Sequence, residues 1–196
     1  MAENINIFID MVRDTKLAPN DVFVDIGANI GQELSLLAKY GIKMYSYEPH
    51  PVFFAHLQKQ YSMYPNVELH NVAITNFNGT IGLYCQNTPT EINAGASIKR
   101  KRNCLDTPSY TVKTLKASDE VKRLINIHKR IKVFTMDIEG SEYDVLEDLL
   151  DNNLMDSIDF LYFEDHHKRI LDEKYETKRV EILKRLEDKN IRHKPW

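Results

Sequence analysis

The chain has 196 residues, a net charge of −3 and two cysteines. That length suits one domain with a real core, and the charge gives no global case for nucleic acid or an anionic membrane. Cys85 and Cys104 make no disulfide framework and point to a reduced compartment. No apolar run approaches the roughly 20 residues of a membrane span, and no basic region precedes an apolar core at the N-terminus. A single cytoplasmic domain over 1–196 is the expectation.

In chain order, Ile5, Phe8, Ile9 and Val12 have the spacing of an amphipathic helix. Leu17 to Asp21 turn the chain into Val22-Phe23-Val24-Asp25-Ile26, a short apolar run broken by one acid, as expected of a buried parallel strand. Gly27 and Gly31 follow, and Gln32 to Ala38 have helical spacing. In an open α/β sheet such a turn lies at the carboxyl ends of the strands, where ligands bind. Gly27 permits a sharp turn, and Gly31 is expected to bring the first helical turn close to a ligand, with Asn29 between them. A phosphate wants bare amides there, and Asp25 would repel it. An acid suits a cation such as the amino group of S-adenosylmethionine (SAM). The spacing Gly-x-x-x-Gly also differs from the Gly-x-Gly-x-x-Gly of a dinucleotide turn; an NAD turn and an empty α/β turn are the competing readings.

Lys43 to Tyr47 read as the second strand, with Glu48 at its end, seventeen positions after Gly31. A carboxylate there accepts both ribose hydroxyls of an adenosine. Pro49 and Pro51 open a helix carrying Val52, Phe53, Phe54, Leu57 and Tyr61. Val67 to Leu69 and Val72 to Ile74 read as one third strand around His70-Asn71. In a methyltransferase this strand end borders the adenine, which makes Asn71 and the Ala73 backbone candidates; a polar strand end without a ligand is the alternative for Asn71. Asn76 to Thr80 carry an Asn-Gly hairpin signal, with the returning strand from Thr80 to Cys85. Residues 86–109 read as a long loop with the basic run Lys99-Arg100-Lys101-Arg102, either a solvated loop or a lid over a polyhydroxylated or acidic acceptor.

Tyr110 to Leu115 form another strand, and Ser118-Asp119 can cap a helix that leaves His128 on its surface. Ile131 to Met136 are the next central strand, ending in Asp137-Ile138-Glu139-Gly140-Ser141-Glu142. A helix with Val145, Leu146, Leu149 and Leu150 inward follows, and Glu142 reads as a helix N-terminal acid favoured by the dipole. Ile158 to Phe163 then deliver Glu164-Asp165-His166-His167, so the two acidic strand ends should neighbour each other. Residues 173–190 form a charged helix with Val180, Leu183 and Leu186 on one face. The fold class is therefore α/β: a mostly parallel sheet with helices on both faces and an inserted antiparallel hairpin.

The stretches Val-Asp-Ile-Gly-Ala-Asn-Ile-Gly, Tyr-Glu-Pro at 47–49, Asn-Val-Ala-Ile at 71–74 and Met-Asp-Ile-Glu-Gly-Ser-Glu-Tyr-Asp-Val-Leu at 136–146 resemble the FkbM family of SAM-dependent methyltransferases. The resemblance covers about residues 20–167. It implies the Rossmann-like class I methyltransferase fold and O-methylation of a hydroxyl, commonly on sugars, glycans or polyketide-derived compounds. Two features depart from the pattern. Lys116 follows Thr114-Leu115 where many members carry an acid. Only about Ile191 to Trp196 remain for the antiparallel pair that usually closes the sheet, so either the hairpin substitutes or the chain is cut from something longer.

A sugar hydroxyl is a poor nucleophile until its proton has somewhere to go. Asp137, Glu139, Asp165 and His166 are the candidates for that work. A side-chain base is one route. Mg²⁺ or Mn²⁺ held by Asp137, Glu164 and Asp165 is the other. The expected partner is a carbohydrate or other hydroxylated small molecule, with no nucleic acid. The rival expectations are methylation of RNA, DNA or protein, against which no Asn/Asp-Pro-Pro-Tyr/Phe stretch occurs, and a non-catalytic SAM-binding module.

Overall fold

The structure, a computed structural model, describes residues 11–85, 96–99, 107–170 and 174–195. The expected N-terminal helix lies mostly outside the described residues, as do most of the 86–109 loop and the rest of the basic run after Lys99; residues 11–15 are helical.

Six parallel strands form the central sheet: β1 (Val22–Ile26), β2 (Lys43–Tyr47), β3 (Val67–His70), β8 (Ile131–Met136), β9 (Ile158–Phe163) and β10 (His193–Pro195), in the order β10-β9-β8-β1-β2-β3. Side chains alternate across it. Val22, Val24 and Ile26 face α3 (Ala117–His128), α4 (Glu142–Asp151) and α5 (Lys174–Asp188), where Val121, Leu124, Leu146, Leu149 and Ile182 complete one core. Phe23, Met44, Val133 and Tyr162 face α1 (Gln32–Leu37) and α2 (Pro51–Tyr61), packing on Leu34, Leu37 and Leu57. Each such buried side chain contributes roughly 1.5–3 kcal/mol, which drives the three-layer arrangement.

The expected third strand is two strands. After β3, Asn71 breaks the ladder to bond the backbone across it: its amide donates to the Glu48 and Pro49 carbonyls at 2.8 and 3.1 Å. The chain then leaves the sheet, and β4 (Ala73–Thr75) joins a second sheet of order β4-β7-β5-β6, with β5 (Gly79–Cys85), β6 (Ala96–Ser97) and β7 (Tyr110–Lys116). The antiparallel insert is present, but its long ladder pairs β5 with β7. The Asn78-Gly79 turn joins strands that flank β7 rather than pair with each other.

Helix α3 starts one residue before the expected Ser118 cap, with Lys116 as N-cap. Ser118 is fully buried and its amide donates to Asp148 Oδ2 at 2.7 Å, so the cap comes from the neighbouring helix. His128 sits at the helix end, its Nε2 2.7 Å from the Tyr45 hydroxyl. The last strand is parallel: β10 runs beside β9, so residues 193–195 do not supply an antiparallel pair. The strand order reverses between β1 and β8, and a crevice opens there at the carboxyl ends of the strands. Among the described residues no helix is long and apolar enough to cross a membrane.

Candidate active site

The crevice holds about 580 Å³ of empty space including its open mouth. Ile26, Gly27, Asn29 and Glu48 line one end, and Asp137, Ile138, Glu139 and Ser141 the other. Val72, Ala73, Ile74 and Leu83 form an apolar wall, and Ala96 and Ile98 lie across it.

At the first end, Gly27 has φ 89°, and a Cβ there would sit 2.0 Å from the Asp137 carbonyl oxygen. Only glycine lets the turn after β1 pass the turn after β8 so closely. Glu48 is 5 % exposed. Its two carboxylate oxygens each accept one backbone N–H at 2.7 Å, from Asn29 and from His50. A carboxylate has about four acceptor positions, so two amides leave capacity for hydroxyl donors. Burial pushes its carboxyl up to about 7, partly offset by the His50 and Asn29 amides. Asn29 adopts a left-handed conformation, φ 49°, and its Oδ1 is buried without a hydrogen-bond partner among the described residues.

Three of the residues expected near a nucleoside stand elsewhere. Asp25 shares the Phe23 face of β1, so it lies beneath the turn and does not line the crevice. It is 3 % exposed, its Oδ2 has no hydrogen-bond partner among the described residues, and burial with the nearby Glu33 and Glu48 raises its carboxyl well above the usual range. Gly31, φ 89°, opens α1 by packing on α2: a Cβ would meet Tyr61 at 2.7 Å and Leu57 at 2.9 Å. Its close approach is to α2, and it is not among the residues that line the crevice. Asn71 spends its amide on the backbone that carries Glu48, while Ala73 does line the crevice.

The second end is built by register. β8 and β9 are neighbours with Met136 opposite Phe163, and the Glu164 amide donates to the Met136 carbonyl at 2.9 Å. The two acidic ends therefore meet. His166 is 1 % exposed at their centre. Its Nδ1 is 2.9 Å from Glu142 Oε1; its Nε2 lies 3.0 Å from Glu164 Oε1, 3.4 Å from Glu139 Oε2 and 3.8 Å from Asp137 Oδ1. The contact to Glu164 is close in distance but outside hydrogen-bond geometry. Burial alone pulls the imidazole down, but Glu142, Glu164 and Glu139 outweigh it and push His166 up to about 10. Asp137 is held well above the usual carboxylate range, first by loss of solvent and then by the Glu164 charge. Since 45 % of its side chain still meets water, the first cause is tempered.

Glu142, read from the sequence as a helix-dipole acid, is fully buried. Besides His166, its Oε1 accepts from the Gly140 and Ile138 amides at 3.1 and 3.3 Å. It therefore holds both the imidazole and the 137–140 turn, in which Glu139 has φ 58° and Gly140 φ 115°. The available signal was the third acid of Asp-x-Glu-Gly-x-Glu, placed in the first turn of a helix with an apolar inner face. Asp165 is not brought into the group: it binds Arg179 Nε at 2.8 Å and His167 Nδ1 at 2.7 Å, on the α5 side. These partners lower its carboxyl despite burial. His167 follows it, so of the adjacent histidines only His166 reaches the acids.

Ser97 Oγ donates to the Glu139 carbonyl at 2.7 Å, and Lys99 Nζ pairs with Asp144 at 2.6 Å while lying 4.9 Å from the Tyr175 ring centre. Residues 96–99 are thus fastened across the crevice to α4 and α5.

Residues 25–190 match the Methyltransferase FkbM domain. Over 184 aligned residues the chain is 28 % identical to Methyltransferase 1 of Beauveria bassiana (strain ARSEF 2860), covering 78 % of this chain and 71 % of that protein. It is 42 % identical over 59 residues to Ribosomal RNA small subunit methyltransferase A of Thermotoga neapolitana and, equally, of Thermotoga maritima. Those matches cover 30 % of this chain, which spans 23 % and 21 % of the two enzymes. No solved structure matches significantly. The matched span covers most of the chain: the chain belongs to the FkbM methyltransferase family, a membership that implies SAM as the cofactor.

Proposed function

We propose that the protein is an O-methyltransferase that moves the methyl group of SAM to a hydroxyl of a sugar or glycan. One observation carries this reading. A single crevice joins a buried carboxylate with spare acceptor positions to a group of acids around a histidine. SAM, when bound, supplies an electrophilic methyl on a sulfonium. Glu48 accepts the ribose hydroxyls, with Gly27, Asn29 and Ala73 beside it. Asn71 fixes the Glu48–Pro49 backbone, and Asp25 and Gly31 support the turn from beneath.

The acceptor hydroxyl enters beside Asp137 and Glu139, the two cluster acids that line the crevice. Holding it in line with the reacting carbon removes much of the barrier. Asp137 or Glu139 accepts its proton, since His166 with its raised affinity for a proton starts as the imidazolium. His166 then keeps the surrounding carboxylates from repelling one another, and Glu142 sets its ring. The residues 96–99 shield the crevice from water.

The test is transfer of labelled methyl from SAM to a panel of mono- and oligosaccharides, with the product identified as a methyl ether by NMR. Tight SAM binding without turnover on any saccharide would defeat the reading. A ribosomal RNA arm belongs in the same assay because of the 59-residue matches, although so short a share of those enzymes gives no ground to expect their substrate. Unchanged SAM affinity and no activity with any class would leave the non-catalytic module.

A further inference from the structure

The acid cluster has a feature that carboxylates alone would not have. His166 is 1 % exposed, and its Nε2, with no partner in hydrogen-bond geometry among the described residues, points among Asp137, Glu139 and Glu164, the nearest oxygen being Glu164 Oε1 at 3.0 Å. One ligand atom each from Asp137, Glu139 and His166 lies within 4.8 Å of the others. Ligands about 2.1 Å from a cation on adjacent octahedral positions lie about 3 Å apart, and opposite ones about 4 Å apart. The separations of 3.4 Å and 3.8 Å from Nε2 need only a small contraction to reach that. The other ring nitrogen is already anchored to Glu142, a carboxylate that touches no crevice surface and is fully buried. A carboxylate behind the imidazole of a ligating histidine is the usual second layer of a metal site, where it sets tautomer and ring orientation.

We propose that Asp137, Glu139 and His166 form a site for a divalent transition cation of the Mn²⁺ type, with Glu142 as the positioning residue behind it. The nitrogen decides the class: Mg²⁺ and Ca²⁺ prefer oxygen-only sets, whereas imidazole with carboxylates suits the first-row transition ions. This set differs from the Asp137, Glu164 and Asp165 expected from sequence, because Asp165 is committed to Arg179 and His167. On binding, the Nε2 proton of the imidazolium leaves to solvent and its lone pair goes to the cation. Asp137 and Glu139 line the crevice, so a cation there faces the acceptor. On the methyl-transfer reading above, a bound cation would replace the imidazolium charge among the carboxylates and would supply Lewis acidity to the acceptor hydroxyl, whose proton would pass to a carboxylate oxygen of Asp137 or Glu139 not engaged by the cation.

The test needs neither SAM nor an acceptor, so its failure leaves the methyl-transfer reading standing, and a bound metal without turnover leaves this one standing. Full-length protein stripped with EDTA is titrated with Mn²⁺ and followed by electron paramagnetic resonance, with pulsed detection of directly bound ¹⁴N. The expected result is saturation at one Mn²⁺ per chain with an imidazole nitrogen coupling. His166→Gln should abolish that coupling and weaken binding at least about tenfold, while Glu142→Gln should weaken it about 10–100-fold and keep the coupling. Absence of saturable binding, binding without nitrogen coupling, wild-type affinity in His166→Gln, or displacement by equimolar Mg²⁺ would each overturn the proposal. Should His166→Gln fail to fold by circular dichroism, Asp137→Asn decides: its side chain is 45 % exposed, and unchanged Mn²⁺ affinity there overturns the proposal too.

Discussion

The two ends of the crevice handle buried charge in opposite ways. At the β1–β2 end, Glu48 meets backbone: two amide N–H groups, set by the fold, point at its oxygens. At the β8–β9 end, Asp137, Glu139, Glu142 and Glu164 surround one side chain, His166. Backbone donors cannot change protonation state or leave, so the first end is a ready-made acceptor. At the second end a partner of the carboxylates is itself a titratable side chain. A binding site gains from the first arrangement and a reacting site from the second.

The sharpest way to break the contrast is to damage the contact both ends share. Gly27→Ala forces φ 89° on a side-chain residue and drives its Cβ into the Asp137 carbonyl at 2.0 Å. The backbone term alone costs about 1–2 kcal/mol. Thermal melts should show a marked fall in stability, and calorimetry the loss of measurable SAM binding. Gly140→Ala, whose Cβ meets the side-chain tip of Ile170 at 2.1 Å, should be milder because that tip can turn away.

Next in size is the reacting end alone. Glu142→Gln should lower the methyl-transfer rate about 100-fold, the scale of lost proton handling, with SAM affinity within about threefold of wild type. An equal loss of both would erase the distinction between the ends. The mirror experiment is Glu48→Ala. It should weaken SAM binding about 10–100-fold, the worth of hydrogen bonds to a charged group, and leave the rate at saturating SAM nearly unchanged.

The two ends also separate by pH. Both groups hold protons more tightly folded than unfolded, so each contributes stability that fades as pH rises. For Glu48 the window runs from the ordinary 4.5 to about 7; for His166 it runs from 6.5 to about 10. Each slope is at most about 1.4 kcal/mol per pH unit. Urea unfolding in EDTA should show Glu48→Ala flattening only the lower window and His166→Gln only the upper. A wild-type-like profile in either variant would dissolve that half of the comparison.

Much of the fold was legible because its strands and helices carry clean periods. β1, β2, β8 and β9 appear where apolar runs place them, and the charged C-terminal helix is Lys174–Asp188 against an expected 173–190. The break at Asn71 was not legible, since a side-chain amide bonding the backbone one strand over leaves no periodic mark. Nor was the pairing of β5 with β7: an Asn-Gly turn signals reversal but not which strand fills the gap. At the site, the meeting of the two acidic strand ends followed from topology. The displacement of Asp25 did not, because nothing before the fold told which face of β1 turns to the crevice. Glu142 was hidden for a related reason, as a first-turn acid looks the same on paper whether it faces solvent or a histidine. Asp165 was mistaken for a neighbour of Asp137 because sequence adjacency to His166 says nothing of Arg179, fourteen residues on.

The 2.0 Å wedge at Gly27 has a genetic corollary. Two loops more than a hundred positions apart in the chain rest carbonyl against α-carbon, with no side chain between them to absorb a misfit. Compensating changes for a lesion in either loop should therefore turn up in the other, and an evolving lineage that alters one will find its options in the second already narrowed.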